Sequence, residues 1–263
     1  MEYPTSTPPP RTSQSGVPTL HHLSSSQSLR ILWALEELTE SNPSFTYKLQ
    51  LHTRIKARAP KELQSIHPLG LSPILVIEPK PSEPGSQTQE NGAITVTESR
   101  LILQYLADHY SDGVWDSQTP KDRVRNSYFQ EFSQATLGPK AVSILLFDYI
   151  PGHVPFLFRP LASLVFNGLA GIVKKDLVRM FQLMEDALAD ADGEGKHWFS
   201  GEKIGLADFC LSWPMDLCEQ RGYFDAAMYP RIGGWLSKVH ERDAYVEAKK
   251  KGGSYDLVNF DWK

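Results

Sequence analysis

Cysteine is scarce in this chain: Cys210 and Cys218 are the only two in 263 residues. Two cysteines exclude a disulfide framework. If both lie on one helix, a rise of about 1.5 Å per residue sets them roughly 12 Å apart. A bridge needs Cα atoms within about 7 Å, so a reducing, cytoplasmic setting is expected. A basic excess is missing too, since 27 Lys and Arg stand against 31 Asp and Glu for a formal charge of −4. That balance argues against a general nucleic-acid binder. The one dense basic run, Lys249-Lys250-Lys251, reads as a solvated helix end. No Cys or third His stands at ligand spacing around His21-His22, so those two read as strand and sheet edge, and no metal is expected. Residues 1–18 lack the apolar core of a secretory signal; rich in Pro, Ser and Thr, they read as a disordered tail. The longest charge-free apolar run near the middle, Leu161 to Val173, is too short to span a bilayer. It suits a membrane surface or a subunit interface.

With 41 % hydrophobic and 22 % charged residues, the composition is that of an ordinary globular protein. The length allows one large domain or two smaller ones. The chain is organised around the stretch from Thr95 to Leu106. Ile94, Thr95, Val96 and Thr97 suit a strand, whereas Leu101, Ile102, Tyr105, Leu106 and His109 recur at helical spacing. Glu98 and Ser99 therefore stand where a strand becomes a helix. Free backbone N–H groups and the positive end of the helix dipole there make a seat for a carboxylate. The competing reading is that Thr97 and Ser99 only cap the helix.

Upstream, Thr19–Leu23 reads as a strand, Ser24-Ser25-Ser26-Gln27-Ser28 as a helix-starting turn, and Ile31, Leu32, Leu35 and Leu38 as one helix face with Glu36, Glu37 and Glu40 outside it. Asn42-Pro43 ends that helix. Phe45, Tyr47, Leu49 and Leu51 alternate like a strand, completing a βαβ unit with an expected right-handed crossover. His67-Pro68-Leu69-Gly70-Leu71-Ser72-Pro73 is a turn cluster before the strand Ile74–Ile77, with Pro73 at a strand start or a cis bond. Residues 79–92 have a linker composition and are expected to be mobile. From Pro120 the pattern is helical, over about 120–148, 157–191, 205–220 and 228–248, with a kink at Gly138-Pro139. Gly205-Leu206-Ala207-Asp208 reads as half of a capping box, Asp208 reaching back. The expected organisation is a tail (1–18), an α/β domain (19–111), a linker (112–119) and a helical domain (120–263).

These residues resemble the cytosolic glutathione transferase superfamily, most closely the fungal and bacterial group that includes a membrane-associated yeast enzyme. The resemblance rests on Leu20-His21-His22-Leu23 with Ser26, the run Arg30 to Leu38, His67-Pro68-Leu69-Gly70 with Ser72-Pro73, Glu98-Ser99, and Gly205-Leu206-Ala207-Asp208 continuing through Phe209 to Pro214. It spans about 19–245 in order. It implies a thioredoxin-like α/β N-terminal domain plus an all-α C-terminal domain, usually in a homodimer, with glutathione as co-substrate and no metal. Glu98 and Ser99 would hold the γ-glutamyl end of glutathione. Ser72, before a cis Pro73, would pair its backbone with the cysteinyl unit. A serine after the first strand, Ser26 or else Ser25, would donate a hydrogen bond to the sulfur, unless both only cap the first helix. A free thiol has a pKa near 8.5 and the thiolate is the nucleophile; lowering it by two units takes roughly 2.7 kcal/mol.

The resemblance also implies an acceptor pocket between the domains. Tyr128, Phe132 and Thr136, at i, i+4 and i+8, are candidate wall residues, with a core or dimer-contact role as the alternative. Phe147–Phe166, with Tyr149, Phe156 and Phe158, either shapes a large apolar pocket or forms a peripheral membrane contact. Cys210 and Cys218 read as core. Two departures stand out: Leu71 occupies a position where the group usually has lysine, and the 79–92 insertion replaces a tight hairpin. The leading expectation is transfer of glutathione to a small apolar electrophile, in detoxification or secondary metabolism. Glutathione-dependent isomerisation or peroxide reduction is the alternative, and a non-catalytic regulator of the same fold is another.

Overall fold

The computed structural model describes residues 16–55, 58–78 and 92–259. The expected tail up to residue 15 and nearly all of the 79–92 connection lie outside the described residues. Strand β1 (Val17–Leu23) begins earlier than the sequence pattern indicates, because Val17 and Pro18 pair with Glu78 and Ile77 of strand β3 (Ile74–Glu78). Pro18 needs no N–H on its other side, since pairing with β2 (Lys48–His52) starts only at Thr19. With β4 (Ile94–Thr97) these make a mixed sheet in the order β2-β1-β3-β4, β1 and β2 parallel and the other pairs antiparallel. His21 and His22 are thus on an interior strand, not at the edge expected for them, and His22 is buried.

Helix α1 (Leu29–Ser41) follows β1 and stops at Asn42, whose extended backbone (ψ 98°) is what a residue preceding proline adopts. Its Glu36 and Glu37 are buried, contrary to the outward face predicted for them. The chain's last helix, α8 (Asp243–Gly252), comes back over that face. Arg242 pairs with Glu37, and Lys251 reaches Glu36 at 2.9 Å, so the basic run is not wholly solvated. Helix α2 (Ser99–Tyr110) follows β4 and closes the α/β unit.

The helical part holds α3 (Pro120–Glu131), α4 (Gly138–His153), α5 (Arg159–Asp192), α6 (Leu206–Gln220), α7 (Pro230–His240) and α8. A π-helical stretch, Phe132–Leu137, joins α3 to α4 at the predicted kink. The predicted helix over 228–248 is two helices, broken at Glu241-Arg242. Cys210 and Cys218 are free and fully buried on α6, as core.

Two buried polar groups tie the helical layer. Asp208, fully buried, accepts from the backbone N–H of Phe199 (2.9 Å), Ser200 (3.2 Å) and Gly205 (3.1 Å), and from Trp235 Nε1 (2.9 Å). The bond to Gly205 is the predicted half capping box. Asp216 takes His240 (2.8 Å), Tyr245 (2.8 Å) and Tyr255 (2.7 Å), joining α6 to α7, α8 and the C-terminal segment. Removing Asp208 leaves four buried donors unmet, at about 1–3 kcal/mol for each one that stays dry. Asp208→Ala is therefore expected to lower the unfolding free energy by about 3 kcal/mol or more in urea denaturation.

Candidate functional site

A cleft of about 110 Å³ opens where β1, β3, β4 and α2 converge. Gln27 lines it from the turn after β1, His67, Leu69 and Leu71 from the loop before β3, then Ser72, Pro73, Thr97, Glu98 and Ser99. That volume is below the roughly 300 Å³ typical of whole-ligand pockets, so it fits one end of a larger ligand. Gly70 lets the loop turn: its φ is +60°, and a Cβ there would fall 2.5 Å from Gln64 Cγ.

The floor is the first turn of α2. Glu98 is its N-cap and provides no side-chain cap, so the reading in which Thr97 and Ser99 merely cap the helix does not hold. The opening amides of such a helix have no intrahelical acceptor, and its dipole adds positive potential. Ser99 is buried, and among the described residues its Oγ has no hydrogen-bond partner. A buried hydroxyl left unmet costs about 1–3 kcal/mol. Glu98 is exposed and held at φ +66°, a conformation that costs a non-glycine residue on the order of 1 kcal/mol or more. Strain and an unmet donor thus coincide where a carboxylate would be received.

The Ser72-Pro73 bond is cis. The Ser72 hydroxyl donates to the His21 carbonyl (2.9 Å) and accepts from Leu23 N–H (3.1 Å), tying the loop to β1. What Ser72 has left for a ligand is main chain.

The hydroxyls of the serine turn bond backbone groups. Ser26 is buried, donates to the Leu23 carbonyl at 2.7 Å and accepts from Ser28 N–H at 3.1 Å. Ser25, at φ +48°, donates to the Ser254 carbonyl (3.2 Å) and accepts from Asp256 N–H (3.1 Å). Both hydroxyls lie within hydrogen-bond distance of backbone carbonyls, and neither serine lines the cleft. Gln27 does, and sequence reading passed over it. Arg30, fully buried on α1, donates to Gln27 Oε1 and, at 3.0 Å, to the Cys210 carbonyl of α6. The C-terminal strap over Ser25 was equally invisible, because its partners are more than 200 positions apart in the chain.

Tyr128, Phe132 and Thr136 do not join this cleft. Tyr128 and Phe132 keep their i, i+4 relation, Phe132 buried and Tyr128 stacked on it with ring centroids 6.0 Å apart, while the π-helical stretch that starts at Phe132 shifts Thr136 out of register. Phe156 and Phe158 stand in solvent, 79 % and 57 % exposed. Among the described residues, the group with ligand atoms close enough for a metal is Asp216, Glu219 and His240, all within 4.8 Å. Both Asp216 oxygens already hold the helical layer together.

The C-terminal domain model of glutathione S-transferases matches residues 169–243. Glutathione S-transferase 3 of Schizosaccharomyces pombe is 27 % identical over 243 residues, covering 92 % of this chain and 90 % of that protein. A glutathione S-transferase structure from Actinobacillus pleuropneumoniae superposes with a TM-score of 0.66 at 26 % identity, over 93 % of this chain and 97 % of that one. These likenesses point to the cytosolic glutathione S-transferase superfamily. Another structure of this fold, the transferase URE2P8 from Phanerochaete chrysosporium with oxidised glutathione, superposes at 0.65 with 20 % identity, covering 92 % of this chain and 97 % of that one. The α/β unit with its four-stranded sheet and the helical layer are the two halves of the glutathione S-transferase fold.

The strain at residue 98 separates backbone from side chain. Glycine carries no penalty at φ +66°, so Glu98→Gly is expected to leave thermal stability unchanged or raise it by up to about 1 kcal/mol. Calorimetry checks this, and a fall of several kcal/mol would show that the Glu98 side chain supports the fold.

Proposed function

We propose that the chain is a glutathione transferase whose α2 N-terminus receives the γ-glutamyl carboxylate of glutathione. The observation that carries this is the buried, unpartnered Ser99 hydroxyl at the opening of α2, inside a cleft of terminal-group size. Family membership and relatives named as glutathione S-transferases support the reading. The Ser72 main chain lies next along the cleft, in place to pair with the cysteinyl unit in the manner of an added strand. The glycyl end meets exposed Leu69 and Leu71, with no cation at position 71. The thiolate then attacks a small apolar electrophile. The sulfur forms the new bond, the electrophile's leaving group departs with its electron pair, and the thiol proton goes to solvent. Ser99→Ala is expected to weaken binding of glutathione by about 10- to 100-fold in isothermal titration, the size of a hydrogen bond to a charged group. Equal affinity would remove Ser99 from the site.

We also propose a peripheral membrane contact through the first half of α5. The helical stretch Phe156–Asp192 contains a window of mean hydropathy 1.6, only 6 % buried, so the short run seen in the sequence belongs to a helix long and apolar enough to cross a bilayer. Its second half cannot leave the core, where Leu177, Phe181, Met184 and Leu188 are buried. The apolar half, with Leu157, Leu161, Leu164 and Ile172 exposed, is suited instead to lying in an interface. From Lys140 to Asp176 the chain carries Lys140, Arg159, Lys174 and Lys175 against Asp148 and Asp176; Lys140 is paired with Asp176 at 2.7 Å, and the remaining Arg159, Lys174 and Lys175 favour anionic headgroups. The protein is expected to float with vesicles containing phosphatidylglycerol, and Leu161→Ser with Leu164→Ser to stay behind. Absence of flotation contradicts the contact, as does conversion of a dimer to a monomer by those substitutions, which would assign the face to a second copy of the chain.

A further inference from the structure

We propose that Gln27, rather than Ser26 or Ser25, brings the side-chain hydrogen-bond donor to the sulfur of bound glutathione, and that Arg30 is the positioning residue that orients it. The inference rests on glutathione occupying the cleft as described above. Three observations lead to it. The serine hydroxyls have one proton each, and both are spent on the carbonyls of Leu23 and Ser254. A serine could reach the sulfur only by giving up a bond that shapes the turn. Gln27 is the residue of that turn that lines the cleft, together with Ser72, Pro73 and the α2 N-terminus.

The third observation fixes which end of the Gln27 amide is available. A guanidinium donates and cannot accept, so the bond from Arg30 holds the amide oxygen inward. The Nε2 group, with two N–H donors, is what remains for the cleft. Arg30 is itself immobilised: it is fully buried, and the Cys210 carbonyl takes its other terminal nitrogen at 3.0 Å. Its charge also polarises the amide it holds, making Nε2 a better donor toward an anion. Gln27 precedes α1, a helix of 13 residues, whose dipole favours negative charge at that end. No proton is transferred to the amide. The thiol proton leaves to water, and the amide N–H bonds the thiolate that stays.

The test is the pKa of enzyme-bound glutathione, followed through the ultraviolet absorbance of the thiolate. Binding of S-methylglutathione, which has no thiol proton, is measured in parallel. Gln27→Ala and Gln27→Glu are both expected to raise the bound thiol pKa by about one unit, the size of one charge-assisted hydrogen bond. The glutamate keeps an oxygen for Arg30 but has no N–H to give. S-methylglutathione affinity is expected to change less than about threefold in both. Ser26→Ala is expected to leave the thiol pKa in place whatever it does to stability. Arg30→Lys, which keeps the charge and loses the fork, should shift the pH profile in the same direction as Gln27→Ala. A shift in Ser26→Ala as large as that in Gln27→Ala, or none in either Gln27 variant, overturns the assignment. Failure of the wild-type protein to bind S-methylglutathione would instead remove the glutathione reading on which it rests.

Discussion

A helix that begins at Ser99 leaves its first amides without intrahelical acceptors, and the N-cap Glu98 side chain does not cap them. A buried serine hydroxyl in the same turn is unmet as well among the described residues. Isolated from any ligand, this arrangement is unfavourable, and the chain adds to the cost by holding Glu98 at positive φ. The rest of the α/β unit keeps that turn open and aimed. β4 delivers it in register with β3, and Gly70 bends the preceding loop so that Leu69 and Leu71 form a rim. A carboxylate docked there would accept from these open donors.

The helical layer serves the same turn at a distance. Arg30 reaches from α1 to the Cys210 carbonyl on α6, and Ser133 of the π-helical stretch donates to that same carbonyl at 2.6 Å. The C-terminal segment, anchored through Tyr255 on Asp216, comes back to bond Ser25. Glu36 and Glu37, buried under α8, are neutralised by Lys251 and Arg242 from that same end of the chain. The turn after β1 is therefore built by residues from both ends of the sequence, and the hydroxyls of Ser25 and Ser26 bond backbone groups around it.

Local pattern made much of this legible. The strand-to-helix switch at 97–99, the turn before Ile74, the half capping box at Asp208 and the core role of both cysteines all follow from neighbours within a few positions. What escaped the sequence depends on distant contacts. Glu36 and Glu37 look like a solvent face until α8 covers them. His21 and His22 look like an edge until β2 and β3 pair on both sides of β1. Ser26 has the residue type expected of a thiol donor, but its proton goes to a carbonyl three residues back, which no spacing announces. The register Tyr128, Phe132, Thr136 assumes an unbroken α-helix, and the π-helical stretch from Phe132 shifts Thr136 out of it. Gln27 could have been singled out as the turn residue whose side chain carries its acceptor and its donor on separate atoms, once Arg30 was known to be buried beside it.

The most direct measurement is a crystal structure of the protein soaked with glutathione. The γ-glutamyl carboxylate is expected on the α2 N-terminus, within hydrogen-bond distance of the Ser99 hydroxyl and backbone N–H. The cysteinyl unit should lie along the Ser72 main chain. Glutathione density elsewhere, or a Ser99 hydroxyl still without a partner in the occupied crystal, would contradict the site.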